Sequence, residues 1–235
     1  MPVPRPLASI WRRDWGLTAL LVFLVLLMLV ALPLIASGVL TPLFADVAFG
    51  LVLLSGVAAL AGRRAAMLLT AGFALLALVM RGLRLGTSDP TLRLLDSAVS
   101  LLAVAVLAGL VLFQVFRKGP ITLHRVQGAV AAYLLVGLAW GLAYEIALLK
   151  DPKALQMPAV TPPGAAQSPQ LIYFSFVTLT TVGYGDIVPV HPAVRSLAMT
   201  EALIGQLFPA ILIARLVSLE IAARGRRDER EEGGR

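Results

Sequence analysis

The stretch Thr178-Leu179-Thr180-Thr181-Val182-Gly183-Tyr184-Gly185-Asp186 decides how this chain is interpreted. Glycine stands at two alternate positions in it, Gly183 and Gly185. Because glycine adopts left-handed backbone conformations at no steric cost, the stretch can alternate between right- and left-handed residues. Carbonyl groups that alternate in direction along an ordinary strand then point the same way. The stretch therefore predicts a row of backbone oxygens along one side of an extended segment.

Such a row of oxygens suits a dehydrated cation, because four copies around one axis replace the hydration shell of K+ with rings of oxygen. The stretch from Thr181 to Gly185 is called the filter segment below. We expect the K+ sites to be formed by the carbonyls of Thr181, Val182, Gly183 and Tyr184, with the Thr181 hydroxyl at the inner end. Since each chain has one copy of the segment, a ring of four predicts a homotetramer.

A short apolar segment precedes the filter segment. Ser168 suits a helix cap and Pro169 a first turn, and residues 170–180 are largely apolar and aromatic. At about 1.5 Å per residue, such a helix is too short for a hydrocarbon core of about 30 Å. We therefore expect a re-entrant pore helix, which enters the membrane and returns. Residues 150–167 before it are rich in Pro and Gly and predict an exposed turret.

The composition identifies a membrane protein. Of the 235 residues, 59% are hydrophobic and 14% charged, against about 25% charged in soluble proteins. No cysteine is present, which excludes disulfides and thiolate metal sites. Six apolar segments lie at 16–40, 43–62, 65–80, 97–116, 126–149 and 196–214, and the third is the shortest. We predict an all-α integral membrane protein with six transmembrane helices, in which the pore helix and the filter segment lie between the fifth and sixth.

Positive charge predicts the orientation. The chain has 20 Lys and Arg against 13 Asp and Glu, and most of the basic residues lie on the side of the termini if both are cytoplasmic. A loop with Arg81, Arg84 and Arg93 runs against this bias, and Asp89 offsets it only in part. We predict a multi-pass protein of the cell (inner or plasma) membrane that contacts lipid and binds no nucleic acid, with both termini cytoplasmic.

Around the filter segment the sequence resembles the tetrameric potassium channels, in which a re-entrant pore helix leads into a Thr-Val-Gly-Tyr-Gly filter. The region 126–217 fits that pore module. The match includes Asp186 just outside the filter, Pro189 in the outer linker, and Gly205 in the last helix, at the spacing of the family's gating hinge. Pro209 can kink the helix just past it. The resemblance implies K+ as the permeant ion, and no organic cofactor is expected.

The residues that support the filter depart from this family in part. Many of these channels place two tryptophans in the pore helix, whereas this chain has Tyr173 and Phe174, and Phe174 cannot donate a hydrogen bond toward the filter tyrosine. Some members have a buried glutamate behind the filter, whereas this chain has Val177, so no carboxyl there pairs with Asp186. Thr180 completes the threonine-rich end of the pore helix. We expect filter stability and inactivation to differ from those of glutamate-bearing relatives.

The fourth apolar segment, 97–116, has no charge, although a voltage sensor needs basic residues at every third position. Steep gating takes three to four charges per subunit, each worth about 2.3 kcal/mol per 100 mV, and Arg93 at the outer edge supplies a fraction of one. We therefore predict a peripheral four-helix domain at 1–118 that is a degenerate voltage sensor. A pore domain at 119–222 and a short charged cytoplasmic tail at 223–235 follow.

Several interpretations stay open beside a K+-selective channel that conducts passively without steep voltage gating. One is a voltage-gated potassium channel with an atypical sensor, and another is a non-conducting membrane scaffold with a channel-like fold. An enzyme is disfavoured, because no His, Asp, Glu or Ser constellation clusters at one membrane depth. Glu201 in the sixth segment needs a polar partner, either a neighbouring helix or the pore helix. Arg215 near its inner end is expected to pair between subunits or to extend to the interface.

Overall fold

The computed structural model describes residues 7–60, 64–84, 89–116, 123–157 and 168–232. They form helices joined by short connections, together with one small two-stranded sheet. Most of the predicted turret, 158–167, lies outside the described residues. In chain order the elements are α1 (Leu7–Leu26), a π-helical turn (Leu27–Ala31), α2 (Leu32–Ala36), α3 (Pro42–Ala59), α4 (Arg64–Arg84), α5 (Pro90–Val115), α6 (Leu123–Lys150), β1 (Leu155–Gln156), α7 (Ser168–Leu179), β2 (Val188–Pro189) and α8 (Pro192–Glu232).

The described helices differ in one respect from the six predicted membrane spans. Five helices are long and apolar enough to cross a bilayer, and they lie at Gly16–Ala36, Arg64–Arg84, Pro90–Val115, His124–Lys150 and Pro192–Arg215. The sequence predicted the third segment to be the short one, and this is wrong. The third helix has 21 residues, and the shorter apolar helix is the second, Leu43–Ala59.

The helix boundaries on either side of the basic loop explain this difference. Arg81 and Arg84, predicted to lie in a loop, occupy the last turn of α4. On the other side α5 begins seven residues before the apolar segment, because the Asp89 side chain accepts a hydrogen bond from Thr91 N at 2.8 Å and Pro90 fits the first turn. Charged residues therefore extend both helices instead of ending them.

Four charged side chains form an ion-pair network between three helices. Arg84 lies 2.9 Å from Asp46 of α3 and 3.3 Å from Asp96 of α5, and Arg81 lies 3.2 Å and 3.6 Å from the same two carboxylates. Asp96 is 1% exposed. The sequence assigned the compensating charge to Asp89, whereas the structure places Asp46 and Asp96 against the arginines. Two carboxylates thus balance two guanidiniums in the region whose positive charge opposed the predicted orientation.

The main hydrophobic core joins the peripheral helices to α6. Its buried side chains come from α1 to α7 and the π-helical turn, and they include Leu24, Leu53, Leu107 and Leu135. Arg215 of α8 adds a polar contact, because its guanidinium donates a hydrogen bond to the Phe116 carbonyl at the end of α5 and lies 5.3 Å from the Phe116 ring. The predicted pairing of Arg215 between subunits is not tested by this contact within one chain. The predicted domain boundary between residues 118 and 119 lies outside the described residues.

A small two-stranded antiparallel sheet connects the chain before α7 with the chain after the filter segment. Leu155 pairs with Pro189 and Gln156 with Val188. Beneath it lies a second hydrophobic cluster, which includes Tyr144, Leu155, Phe174, Ile187 and Val194. The two-stranded sheet and this cluster fix the chain that directly follows the outer end of the filter segment. After it, α8 runs to Glu232 and includes most of the predicted tail.

Candidate functional site

The candidate site is built around α7, which packs between α6 and α8. It has 12 residues, so its length is about 18 Å at about 1.5 Å per residue. Two glycines of α6 allow the close approach. A Cβ atom at Gly137 would lie 2.5 Å from the Phe176 ring, and one at Gly141 would lie 2.8 Å from the Ile172 side chain. The surface of α6 therefore determines where α7 sits.

The start of α7 is attached to α6 by a polar contact. The helix begins at Ser168, predicted as its cap, and the Ser168 hydroxyl donates a hydrogen bond to Glu145 Oε1 at 2.9 Å. Glu145 lies near the outer end of α6. Because the two residues are 23 positions apart, only the fold brings them together.

The filter segment has an unusual backbone. Positive φ angles occur at Thr181 (58°), Gly183 (58°) and Gly185 (80°), every second residue. The left-handed conformations predicted at the two glycines are present. That of Thr181 was missed, although the same two-residue period extended one step back would have indicated it. Left-handed conformations are uncommon outside glycine, so Thr181 is held there by its surroundings.

Hydrogen bonds fold the inner part of the filter segment onto the carbonyl end of α7. The Val177 carbonyl accepts from Val182 N at 2.9 Å and from Gly183 N at 3.3 Å, and Thr181 N donates to the Thr178 carbonyl at 2.9 Å. Val177, named from sequence as a supporting residue, therefore supports the segment through its backbone. Its side chain provides no carboxyl, as the sequence indicated.

The other predicted supporting residues occupy different places. The Tyr173 hydroxyl lies near the Asp186 carboxylate, at the outer end of the filter segment. Phe174 is buried and packs edge-on against Tyr144, with ring centroids 4.8 Å apart. Thr180 Oγ1 donates to the Phe176 carbonyl at 2.6 Å, directly before the filter segment.

Glu201 joins three helices. Its side chain is fully buried, and its Oε2 accepts a hydrogen bond from the Tyr144 hydroxyl of α6 at 2.6 Å. Its Oε1 lies 2.5 Å from Ser175 Oγ of α7, which also lies 2.6 Å from the Gly137 carbonyl of α6. The sequence predicted that Glu201 needs a partner. It could not identify Tyr144 or Ser175, which lie 57 and 26 residues away.

Gly205 lies where α8 crosses the carbonyl end of α7. A Cβ atom on it would lie 1.8 Å from the Leu179 carbonyl oxygen, so only glycine fits this crossing. Pro209 stands four residues later and has no N–H to donate to the Gly205 carbonyl, although α8 continues through both residues. The predicted hinge at Gly205 and Pro209 stays a prediction. The close contact is a separate reason for glycine at this position.

Replacing Gly205 with alanine should destabilise the protein by about 1–3 kcal/mol or more, because the added methyl group meets backbone that cannot rotate away. The change would be measured as a lower unfolding temperature in detergent. Gly109→Ala is the matched control, because a Cβ at Gly109 has nothing within 4 Å. Equal unfolding temperatures for the two variants would show that α8 does not cross α7 at this distance.

Comparison with known proteins supports an ion channel. Residues 164–221 match the family model described as "Ion channel". Over 86 residues, 37% of this chain, the sequence is 38% identical to "Two pore potassium channel c" of Oryza sativa subsp. japonica, of which the match covers 18%. Over 46 residues, 20% of this chain, it is 44% identical to "Protein LctB" of Bacillus caldotenax and 46% identical to that of Geobacillus stearothermophilus, covering 34% of each. No solved structure gives a significant match.

The matches therefore span between 18% and 34% of the length of these relatives. The family-model match, residues 164–221, includes α7, the filter segment and most of α8. These matches support a potassium channel family and indicate a channel rather than an enzyme.

Proposed function

We propose that this protein is a K+-selective channel that conducts K+ passively across a membrane. The observation that carries the proposal is the alternating left-handed backbone at Thr181, Gly183 and Gly185, directly after a short helix packed between α6 and α8. A backbone that alternates in this way turns successive carbonyls to one side. Rings of such carbonyls replace the hydration shell of K+. Thr181, Val182, Gly183 and Tyr184 provide the ion sites, and Gly185 completes the segment.

The working unit in this proposal is a homotetramer. In a single chain Tyr184 is 73% exposed and Val182 53%, and α8 exposes Met199, Leu203 and Leu207. Irregular backbone at membrane depth is stable only when it is buried in protein or lines a cavity, so the filter segment needs neighbours. Four chains around one axis supply both the neighbours and the rings. In that assembly α7 enters the membrane and returns.

The ion-pair network supports the proposed orientation. Arg81 and Arg84, which ran against the charge bias, are balanced by Asp46 and Asp96. The remaining bias of Lys and Arg then favours a multi-pass protein of the cell membrane, in contact with lipid, with both termini cytoplasmic.

Gating in this proposal does not depend steeply on voltage. The described part of the fourth apolar segment, 97–116, has no basic residue, and Arg81 and Arg84 are held in ion pairs on α4. Recordings in planar bilayers between about −100 and +100 mV should show open probability that changes gradually, because steep gating takes three to four charges per subunit. Steep sigmoidal activation would favour the voltage-gated alternative with an atypical sensor.

A flux assay on proteoliposomes tests the proposed function. Purified protein is reconstituted into liposomes loaded with K+ or with Na+, and ion efflux is followed through the proton uptake that it drives in the presence of a protonophore. We expect efflux of K+ and no efflux of Na+, with empty liposomes as the control. No flux of either ion would favour the non-conducting scaffold. Equal flux of both ions would contradict K+ selectivity.

A further inference from the structure

Gln206 of α8 contacts the inner end of the filter segment. Its Nε2 lies 2.7 Å from Thr181 Oγ1, within hydrogen-bond distance. Between Glu201 and Arg215 it is the only polar side chain of α8. An amide in an otherwise apolar stretch of a membrane helix needs such a partner.

The position of Gln206 follows from its neighbour. Gly205 is fixed against the Leu179 carbonyl, where α8 crosses the end of α7. One residue further along a helix the side chain turns by about 100°. Gln206 is accordingly exposed in the single chain and directed to the Thr181 hydroxyl, whereas Glu201 is buried between α6 and α7.

The chemistry of the contact concerns the lone pairs of Thr181. A hydroxyl has one hydrogen and two acceptor lone pairs, and an amide NH2 group donates. When Gln206 donates to Thr181 Oγ1, one lone pair is occupied and rotation of the hydroxyl is restricted. The second lone pair stays available to a cation. Without the amide, the hydroxyl could turn its hydrogen toward the ion and weaken the innermost site.

We propose that Gln206 is a positioning residue for the innermost K+ site, where its amide orients the Thr181 hydroxyl so that the oxygen faces the ion. This inference rests on the proposed function. It adds a side chain of α8 to a site otherwise formed by the filter segment.

The test uses Ba2+, which is close to K+ in radius and has twice its charge, as a reporter of cation affinity at the innermost site. Ba2+ is applied to the reconstituted wild-type channel and to Gln206→Leu from the side of the membrane to which the inner end of the filter segment opens. The block of the K+ current is measured as a function of the Ba2+ concentration. Loss of one well-oriented hydrogen bond is expected to weaken the block by on the order of tenfold. The K+ over Na+ preference should stay, because the carbonyls of Val182, Gly183 and Tyr184 are unchanged. Leu207→Met is the matched control, and Ba2+ should block it as it blocks the wild-type channel.

A double-mutant cycle separates positioning from a general effect on packing. In a Thr181→Ala background the Gln206→Leu change should alter Ba2+ block by less than about twofold, since the hydroxyl that it orients is gone. If Gln206→Leu does not assemble, Gln206→Asn replaces it, because its amide is one methylene shorter and no longer reaches Thr181. Unchanged block in Gln206→Leu or Gln206→Asn, or an undiminished effect in the Thr181→Ala background, would overturn the inference. Absence of any wild-type K+ current would instead overturn the proposed function.

Discussion

Replacing Gly183 with alanine is expected to abolish K+-selective flux while the protein stays folded. The φ angle of Gly183 is 58°, and an L-residue in the left-handed region costs about 1–2 kcal/mol. A Cβ atom at this position meets nothing within 4 Å in the chain, so the cost is conformational rather than steric. In the proposed tetramer the cost recurs in each subunit, and the strand relieves it by rotating the adjoining peptide groups. Rotation removes carbonyl oxygens from the ion path.

The experiment compares the flux of Gly183→Ala and wild-type protein in K+-loaded and Na+-loaded liposomes. Gly72→Ala is the control, because Gly72 lies in helix α4 with a negative φ and space for a methyl group. That variant should conduct as wild type does. K+-selective flux that persists in Gly183→Ala would mean that the left-handed backbone at this position is not needed for selectivity.

Replacing Glu201 with alanine should cause the largest loss of stability. Tyr144 would lose its buried acceptor, whereas Ser175 would lose Glu201 Oε1 and keep the Gly137 carbonyl. One buried group left without a partner costs about 1–3 kcal/mol, and the cavity left by the removed side chain adds to this, so a loss of at least about 1–3 kcal/mol is expected. The packing of α8 on α7 weakens as well. The measurement is the unfolding temperature of the purified protein, with the assembly state followed by size-exclusion chromatography.

Glu201→Gln is the matched variant. Ser175 has one hydroxyl hydrogen but lies within hydrogen-bond distance of two oxygens, Gly137 O and Glu201 Oε1. A glutamine amide can donate to Ser175 while its oxygen accepts from Tyr144, which leaves the Ser175 hydrogen for Gly137. We expect this variant to lie within about 1 kcal/mol of wild type. Equal losses for the alanine and glutamine variants would contradict this account of the three-helix contact.

The local chemistry of the filter segment could be predicted from sequence because it depends on a few consecutive residues. The period of Gly183 and Gly185 is visible without a fold, and it predicts their left-handed conformations. Thr181 was missed because threonine does not itself favour a positive φ, and the two-residue period was not extended back to it. The apolar segments likewise predicted the helices, since each segment needs a bilayer or a core wherever it lies.

Contacts between distant residues could not be predicted. The arginines at the end of α4 stay helical because Asp46, 38 residues before Arg84, lies against them. The sequence pattern offered Asp89 instead, which was nearer along the chain. Glu201 was predicted to need a partner, but any of several polar residues would have satisfied that need. Which helix faces supply the partners is decided by packing, such as the glycines of α6 that admit α7.

The reversal potential of single-channel currents tests the central claim most directly. Wild-type protein is incorporated into a planar bilayer with K+ on one side and an equal concentration of Na+ on the other. A filter of backbone carbonyls that prefers K+ at least a hundredfold would shift the reversal potential by at least about 120 mV, since each tenfold preference is worth about 59 mV for a single charge. A reversal potential near zero would contradict the account, because K+ and Na+ would then pass equally well.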